Sequence, residues 1–469
     1  MERFCRVISL IGSYFYRYLV LQEECMDVRI LKFGGTSVAD SKAINRVIKI
    51  VANNDSNLVI VVSACSQVTN KLSTIITHIL QQESNVQDLI LEIGNQHSTL
   101  AKQLNVLQKS NHFIEAEIKS LGLVCKKLQQ AGVSNQPLEN RILASGERLS
   151  SKIIANAMQK QLGSVEHIDA NELISVNRQY GSTIVDFSKT EKHLKAKLLP
   201  IFKSTNKVVM AGFICAGEDG EISNLGRGGS DYSAAVVGNC LDASAIEIWT
   251  DVDGILTSDP SKVSETQLIA QLSYQEAAEL AYFGAKVLHP KTMGPASRKN
   301  IPVYVKNTFK SELPGTKVLQ AIRTKNTIKS IASREKITLV TIQSNHMYGA
   351  YGFLRRVFEV FDRFHCPVDV VTTSEVSVSI TIEDTSQLEA MLKQLNTFSI
   401  TQAKHKQAIV AVVGDGLKQT AGVSAKIFNA IEDIPISMIS MGASDVNLTL
   451  VVDEIDQDNV IQKLHNAFF

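Results

Sequence analysis

Two observations in the sequence predict an α/β domain built on a mainly parallel sheet, and a third predicts a repeated unit behind it. Short apolar, β-branched runs alternate with segments of helical periodicity from Val28 to about Lys310. Glycine-rich loops stand at the ends of several of those runs. That alternation marks a doubly wound domain, whose ligands bind outside the carboxyl ends of the strands. Beyond it, the order strand, helix, strand, strand, helix occurs twice, which is the pattern of a ferredoxin-like unit. A chain of 469 residues has room for two or three domains at ~150 residues each.

The first element is the buried run Val28 to Leu31. Lys32-Phe33-Gly34-Gly35-Thr36-Ser37 follows, and then Val38, Ile44, Val47, Ile48 and Val51 recur at helical spacing. The stretch is therefore a strand, a glycine turn and a helix start. Paired glycines let a backbone turn tightly and let a ligand come close. The free N–H groups of a helix start favour an anion. Lys32, at the end of the strand, offers a flexible point charge for a phosphoryl group. This is not a Walker A loop, because the Lys precedes the glycines. Taken alone, the ordinary reading of so short a motif is a plain turn with a solvated Lys.

Asn57 to Ser63 is a second buried strand, opening into the small, polar loop Ala64 to Asn70, which includes Thr69. Ser84 to Gln130 reads as two or three packed helices without assignable chemistry. Leu143 to Leu162 has helical spacing, with Ser145-Gly146-Glu147-Arg148 at its start. An acidic residue in a first turn is often no more than a favourable charge against the helix dipole. Val208 to Cys215 is another strand. The loop Leu225-Gly226-Arg227-Gly228-Gly229-Ser230-Asp231 then precedes a small-residue helix. Such a loop exposes backbone amides and places a guanidinium where it can clamp a carboxylate or phosphate. Ile246 to Trp249 is a strand that leads into the turn Thr250-Asp251-Val252-Asp253-Gly254.

Thr308 to Thr327 reads as a linker, with Pro314, Gly315 and many polar residues. The first repeat has a strand at Ile337 to Ile342, a helix at Gly352 to Phe364, a strand at Val368 to Val371 and an alternating strand from Val376 to Ile382. The second has a strand at Ala408 to Val413, a helix around Ile427, Phe428 and Ile431, a strand at Ile434 to Ile439 and an alternating strand from Val446 to Val452. The chain stops just after a helix, Asp456 to Phe468, so the second repeat lacks a last strand. The spare β-branched run Thr327 to Ala332 is expected to fill that edge. These signals divide the chain into an N-terminal extension (1–25), a first domain (26–310), a linker with the spare strand (311–335) and the two repeats (336–404 and 405–469). Met26 stands just before the first strand, and the extension is expected to be dispensable.

Lys and Arg number 48 against 47 Asp and Glu, a net charge of +1 that gives no sign of a nucleic-acid or membrane partner. No apolar run reaches the ~20 residues of a membrane span. The 7 cysteines are scattered and never spaced as a zinc or redox pair, as expected of free thiols in a reducing cytosol. Cys65 stands near a functional loop but reads as a buried bystander. No histidine pairs with Cys, Asp or Glu at metal-ligand spacing, and no metal site is expected.

Several of these segments, in this order, resemble aspartate kinases. They are Lys32 to Ser37, Gly226 to Asp231, Trp249-Thr250-Asp251-Val252, Phe283-Gly284-Ala285-Lys286-Val287-Leu288-His289-Pro290 and Thr373-Ser374-Glu375-Val376-Ser377. The resemblance runs from Asp27 to the C-terminus and is nearest to the lysine-sensitive, monofunctional type. It implies an amino-acid-kinase αβα sandwich followed by two ACT domains, in a homodimer or larger homo-oligomer joined through them. It implies ATP-dependent phosphorylation of the L-aspartate side chain, the first step of lysine, threonine and methionine biosynthesis. Mg²⁺ would be carried by ATP. The implied catalytic residues are Lys32, bridging the carboxylate and the γ-phosphate, and Asp231, orienting it. The substrate would be held by Arg227, Ser230, Thr69 and Glu147, the last taking the α-ammonium. The nucleotide would meet Lys32, Gly34, Gly35, Thr250, Asp251, Leu256 and Lys286. His289 reads as structural, since a carboxylate acceptor has no proton to remove.

Leu256 stands where the family often has Tyr, and Ser261 where it usually has Arg; Lys262 is the expected substitute. Lysine is the implied effector, bound at the first repeat by Met347, Gly352, Phe353, Asp369, Thr373, Ser374 and Glu375. Asp369 is expected beside the helix start at Gly352, taking an ammonium. Ala350 and Pro367 depart from the usual polar residues there. Two other readings stay open: a kinase for another acidic amino acid, and a catalytically weak sensor acting through its ACT pair.

Overall fold

The computed structural model describes residues 27–179, 182–284, 288–320, 327–344, 347 and 351–469. The extension, Lys286 and Ala350 lie outside the described residues. The first domain holds an eight-stranded sheet whose strands are β1 (Val28–Phe33), β2 (Asn57–Val62), β3 (Glu166–Ile168), β6 (Lys207–Ala211), β9 (Ala245–Thr250), β10 (Gln271–Ser273), β11 (Val303–Asn307) and β12 (Thr316–Leu319). The numbering counts two small hairpins, β4 (Val176–Gln179) with β5 (Ser182–Val185) and β7 (Ile214–Ala216) with β8 (Ile222–Asn224). The spatial order is β10-β12-β11-β9-β1-β2-β6-β3, and only the β11–β12 pair is antiparallel.

Helices cover both faces, because the central strands are buried almost throughout and have two apolar faces to cover. One face carries α1 (Ser41–Ala52), α2 (Val68–Leu80), α3 (Val86–Gln103), α4 (Leu107–Ala131) and α5 (Gln136–Leu162). The other carries α6 (Phe187–Ile201), α7 (Gly229–Cys240), α8 (Tyr274–Phe283) and α9 (Pro290–Arg298).

Three local expectations change. Helix α5 starts at Gln136, not near Leu143. Asn135 caps it by accepting from the Leu138 amide (3.2 Å), and Pro137 fits the first turn. Glu147 is therefore about three turns inside the helix and cannot be read as a first-turn charge. The run Val208 to Cys215 is two strands, broken at Phe213, whose φ is 68°. The segment read as a linker contains β12, which belongs to the first sheet.

The two repeats form one six-stranded antiparallel sheet, ordered β14-β15-β13-β16-β18-β17. The strands are β13 (Ser330–Gln343), β14 (Val371–Thr373), β15 (Ser377–Ile382), β16 (Ile400–Val413), β17 (Met438–Met441) and β18 (Asn447–Asp453), with α10 (Phe353–Arg363), α11 (Leu388–Leu395), α12 (Val423–Ala430) and α13 (Gln457–Phe468). The second strand of each repeat lies a few residues later than its apolar run. Strands β13 and β16 are each 14 residues long and serve both repeats. Ser330 to Arg334 pairs with Ile409 to Val413, and Leu339 to Gln343 pairs with Ile400 to Lys404. The register shifts between these halves, where Lys336 and Lys406 have positive φ.

The domains share a core. Leu280 and Phe283 of α8 belong to the same buried apolar cluster as Val303 and Val318 of the first sheet and Ile337, Ile409 and Val451 of the second. Helix α8 is thus one piece of the first domain that the repeats pack on, and Val263, in the core of the second repeat, belongs to another.

Candidate active site

Strands β1 and β9 run parallel, with Lys32 beside Ile248 and Phe33 beside Trp249. Their carboxyl ends face one cleft. The Gly34 amide donates to the Trp249 carbonyl (3.1 Å), which folds the glycine turn over β9. Ser37 continues that link through its hydroxyl to Thr308 (2.7 Å). Lys32 points into the cleft, and its Nζ lies 2.6 Å from an Asp231 carboxylate oxygen. Both side chains are nearly buried, at 11% and 13% exposure, so the pair is held in a poorly solvated place. Asp231 is in the first turn of α7, where its charge also suits the helix dipole.

The glycine loop before α7 is fitted against β6 and α9. Gly228 caps α7 with φ at 70°, and a Cβ there would run into the His289 imidazole. A Cβ on Gly212, after β6, would lie 2.6 Å from that of Ser230. His289 itself caps α9, its Nδ1 accepting from the Lys291 amide (3.3 Å). Burial, with the positive charges of Lys291 and Arg227, holds its pKa below the ordinary value against the pull of Asp231. A wedge against the glycine loop is in keeping with the structural role read from the sequence.

Glu147 is the third charged group at the cleft. It is 4% exposed, and one carboxylate oxygen has no partner among the described residues. Burial pushes its pKa up to about 7, although the Ala64 amide and the Lys32 charge pull it down. The loop from Ala64 lies over it: a Cβ on Gly146 would lie 2.9 Å from that of Ala64. Cys65 in that loop is buried, and its thiol is pushed up to about 12, which leaves it inert as a nucleophile.

The structure thus brings Lys32, Asp231, Glu147, Gly34, Gly35 and Ser230 to one cleft, with Arg227 exposed on its lip and Thr69 exposed in the first turn of α2. Thr250 ends β9 and Asp251 follows it, at the same end of the sheet. Leu256 is half-buried and bridged to Leu268, with its carbonyl accepting from Ser330 (2.9 Å). Lys262 does not substitute for the missing guanidinium. Its Nζ is taken by Glu335 (2.5 Å) and Asp458 (2.9 Å) of the repeats. Sequence reasoning missed Asn307 and Lys310, which hold Asp253 of the β9 turn at 2.5 and 2.9 Å. Their only signal was a polar pair at the end of a strand. Among the described residues no group of three or more His, Cys, Asp or Glu could hold a metal ion, and no helix is long and apolar enough to cross a membrane.

The residues expected to hold an effector fall into two places. The turn Ser374 to Ser377 lies beside the end of β13, where the Ser344 amide donates to the Val376 carbonyl (3.0 Å) and the chain leads past Met347 to Gly352 and Phe353. Asp369 is at the other end of the hairpin, with its amide on the Thr381 carbonyl (3.0 Å). Four residues of extended chain lie between Asp369 and Ser374, a separation of about 17 Å. Asp369 is therefore not beside the helix start of its own chain. Its carboxylate faces α8 instead, accepting from the Tyr282 hydroxyl (3.0 Å) and lying 3.4 Å from Arg334.

A buried lysine–aspartate pair at the strand ends of an αβα sandwich, fused to paired ferredoxin-like repeats, defines an amino acid kinase carrying an ACT pair. The sequence profile of the amino acid kinase family matches residues 27–307, and an ACT domain profile matches 410–468. The lysine-sensitive aspartokinase 3 of Escherichia coli is 33% identical over 460 residues, covering 94% of this chain and 99% of that protein. The solved structure of E. coli aspartokinase III with aspartate and ADP (R-state) superposes with a TM-score of 0.85 at 32% identity, over 94% of this chain and 100% of that one. The same enzyme with lysine and aspartate (T-state) gives 0.78 at 32% identity, over 94% and 99%. The chain belongs to the aspartokinase family.

Proposed function

We propose that this chain transfers the γ-phosphoryl group of ATP to the side-chain carboxylate of L-aspartate, giving 4-phospho-L-aspartate and ADP. The observation that carries the reading is the buried Lys32–Asp231 pair standing with the half-satisfied Glu147 in one cleft. An attacking carboxylate oxygen forms the new P–O bond as the bond to ADP breaks, and no proton has to be removed. The protein's task is to bring two anions together and to neutralise the charge that moves between them.

Lys32 supplies that charge and Asp231 fixes its direction. Glu147 receives the substrate's α-ammonium, which gives its idle oxygen a partner, and Arg227 on the lip clamps a carboxylate. Ser230 and Thr69 add hydroxyl donors. Gly34, Gly35, Thr250 and Asp251 accommodate the nucleotide, with Asn307 and Lys310 steadying the turn through Asp253. Mg²⁺ arrives with the nucleotide, since it binds largely through phosphates and water. The reaction takes place in the cytosol.

Lysine is the proposed effector, and a homodimer the proposed form. Strand β14 is an outer strand with no ladder partner on its far side among the described residues, where the Thr372 hydroxyl reaches the Ile439 carbonyl of β17 (3.4 Å), and such a strand suits pairing with a second copy. Antiparallel pairing of two β14 edges brings Asp369 of one copy towards the Ser374 turn of the other. A lysine lodged at Gly352, Phe353 and Thr373 to Glu375 then reaches a carboxylate that its own chain cannot supply.

The test is an ATP and Mg²⁺ assay that traps the acyl phosphate with hydroxylamine, run on aspartate, glutamate and N-acetylaspartate. Hydroxamate from aspartate alone is the expected result. Equal turnover of glutamate overturns the substrate, and no hydroxamate from any of them overturns the kinase reading. Added lysine, threonine and methionine then identify the effector.

A further inference from the structure

Asp369 belongs to a charged cluster that ties the repeats to α8. Tyr282, in the last turn of α8, donates its hydroxyl to Asp369 Oδ1 (3.0 Å). Arg334 of β13 lies over the Tyr282 ring (4.9 Å), donates to the Tyr282 carbonyl, and pairs with both Asp369 (3.4 Å) and Glu383 (2.9 Å). One turn earlier on α8, Glu279 accepts from Asn447 of β18 (2.6 Å). Where α8 ends, a Cβ on Gly284 would overlap the Ser333 carbonyl of β13, and φ there is 134°. The C-terminal end of α8 is thus pinned to the second sheet by side chain, ring and backbone together.

That end is also close in the chain to the catalytic loop. His289, five residues after Gly284, is the group against which Gly228 packs, and Asp231 lies three residues beyond Gly228. Helix α8 also shares an apolar cluster with α9, which His289 caps, so a shift of α8 bears on the wedge under the loop that aims Asp231 at Lys32. The cluster has a vacant bond within it: Asp369 Oδ2 is buried and has no partner among the described residues.

We propose that Asp369 is a shared acceptor. In this arrangement it is held by Tyr282 and Arg334, and an effector's ammonium competes for it, so that binding the effector frees the end of α8 and loosens the catalytic loop. Tyr282 is then a positioning residue that acts on catalysis through His289 and sets the effector sensitivity. The proposal rests on the effector reading above. It is in keeping with the greater likeness of this structure to the aspartate–ADP complex of the E. coli enzyme than to its lysine complex (TM-scores 0.85 and 0.78). A ligand shifts such an equilibrium only by its differential affinity for the two states. Removing the Tyr282 hydroxyl takes one hydrogen bond from the held state alone.

The experiment uses the full chain with lysine as the probe. Tyr282→Phe keeps the ring beneath Arg334 and loses only the hydroxyl. Its half-inhibitory lysine concentration is expected to fall about two- to tenfold, the worth of one hydrogen bond. Asp369→Asn, which still accepts from Tyr282 but attracts no cation, is expected to raise that concentration at least tenfold. Hydrogen exchange of Ala278 to Gly284 gives a readout that a purely structural role would not move: lysine is expected to speed it in the wild type and not in Asp369→Asn. A wild type inhibited by lysine with unchanged exchange in this segment overturns the shared acceptor and leaves the effector reading standing. So does a Tyr282→Phe enzyme that folds and responds to lysine as the wild type does. A wild type that neither binds nor responds to lysine overturns the effector reading and this proposal with it.

Discussion

Replacing Glu147 by Gln should make the protein more stable and the enzyme worse, and the two effects have separate pH signatures. In the folded chain burial raises the Glu147 pKa from 4.5 to about 7. Below the lower value the carboxyl is protonated both folded and unfolded, and its burial costs little. Between the two the unfolded chain ionises first, so stability falls as pH rises. Above about 7 both states are ionised, and the fold carries the whole cost of the buried charge. A shift of that size corresponds to ~3 kcal/mol.

Gln is nearly isosteric and stays neutral, so Glu147→Gln should match the wild type near pH 4.5 and exceed it by ~3 kcal/mol at pH 8, several degrees in Tm. The same change leaves the substrate ammonium without its anion. Losing one partner of a buried, hydrogen-bonded charge pair costs ~2–5 kcal/mol, so the KM for aspartate should rise at least ~30-fold. Calorimetry from pH 4.5 to 8.5 and the hydroxamate assay across the same range test both halves. In the wild type, kcat/KM for aspartate should climb through pH 7 as the carboxylate ionises, and in Glu147→Gln that limb should be absent. A variant that is less stable at pH 8, or that keeps its aspartate KM, refutes the reasoning.

Lys32→Ala and Asp231→Ala should each lower kcat by ~10²–10³ with the far-ultraviolet spectrum unchanged, as measured by steady-state kinetics and circular dichroism. Gly228→Ala, which forces a side chain onto the His289 ring at a positive φ, should lose most activity; crystal structures or kinetics of Gly228→Ala and of Gly228→Ala with His289→Ala would show whether relieving the clash restores part of it. Lys262→Met should leave the KM for ATP within twofold, because the ammonium is engaged with Glu335 and Asp458; titration of ATP decides this, and a large rise would return Lys262 to the nucleotide.

Much of the first sheet was legible because buried parallel strands write themselves as unbroken apolar runs, as Val28 to Leu31 and Asn57 to Val62 do. The start of α5 was not, because its signal is a cap at Asn135 followed by Pro137, in a stretch too polar to show apolar periodicity. The break at Phe213 was hidden inside a continuous apolar run, since a single residue at positive φ leaves no mark on hydropathy. β12 was lost among Pro, Gly and polar residues: a strand of four residues with alternate burial carries little pattern. Of the long shared strands, β13 was seen as two separate runs and β16 only in its second half, Ala408 to Val413. At the site, residue types announced Lys32, Arg227 and Asp231, but only the fold could show that Lys262 is spent on the repeats and that Asp369 faces Tyr282.

Buried carboxylate oxygens without partners need sorting before any is read as a site. Glu276 has one, yet its other oxygen closes the capping box of α8 on the Ser273 amide (2.7 Å), which accounts for its burial. Glu147 also has an oxygen engaged, by the Ala64 amide, but it closes no helix cap, and its burial works against its charge. An ion left half-paired in a low-dielectric place costs the free protein stability that a cationic ligand group restores. Aspartate should therefore stabilise the wild type beyond what mass action on the other contacts supplies, and most strongly above pH 7, where Glu147 is charged before the ligand arrives. A ligand at 100 times its Kd raises the unfolding free energy by about 2.7 kcal/mol. Thermal shift against aspartate concentration, at pH 6 and pH 8, measures the gain without turnover. In Glu147→Gln the gain at the same concentrations should nearly vanish at both pH values, whereas in Lys32→Ala, which spares the ammonium site, it should persist at pH 8. Equal stabilisation of the wild type and Glu147→Gln would mean that the ammonium is held elsewhere, and that the idle oxygen is an accident of packing like the one on Glu276.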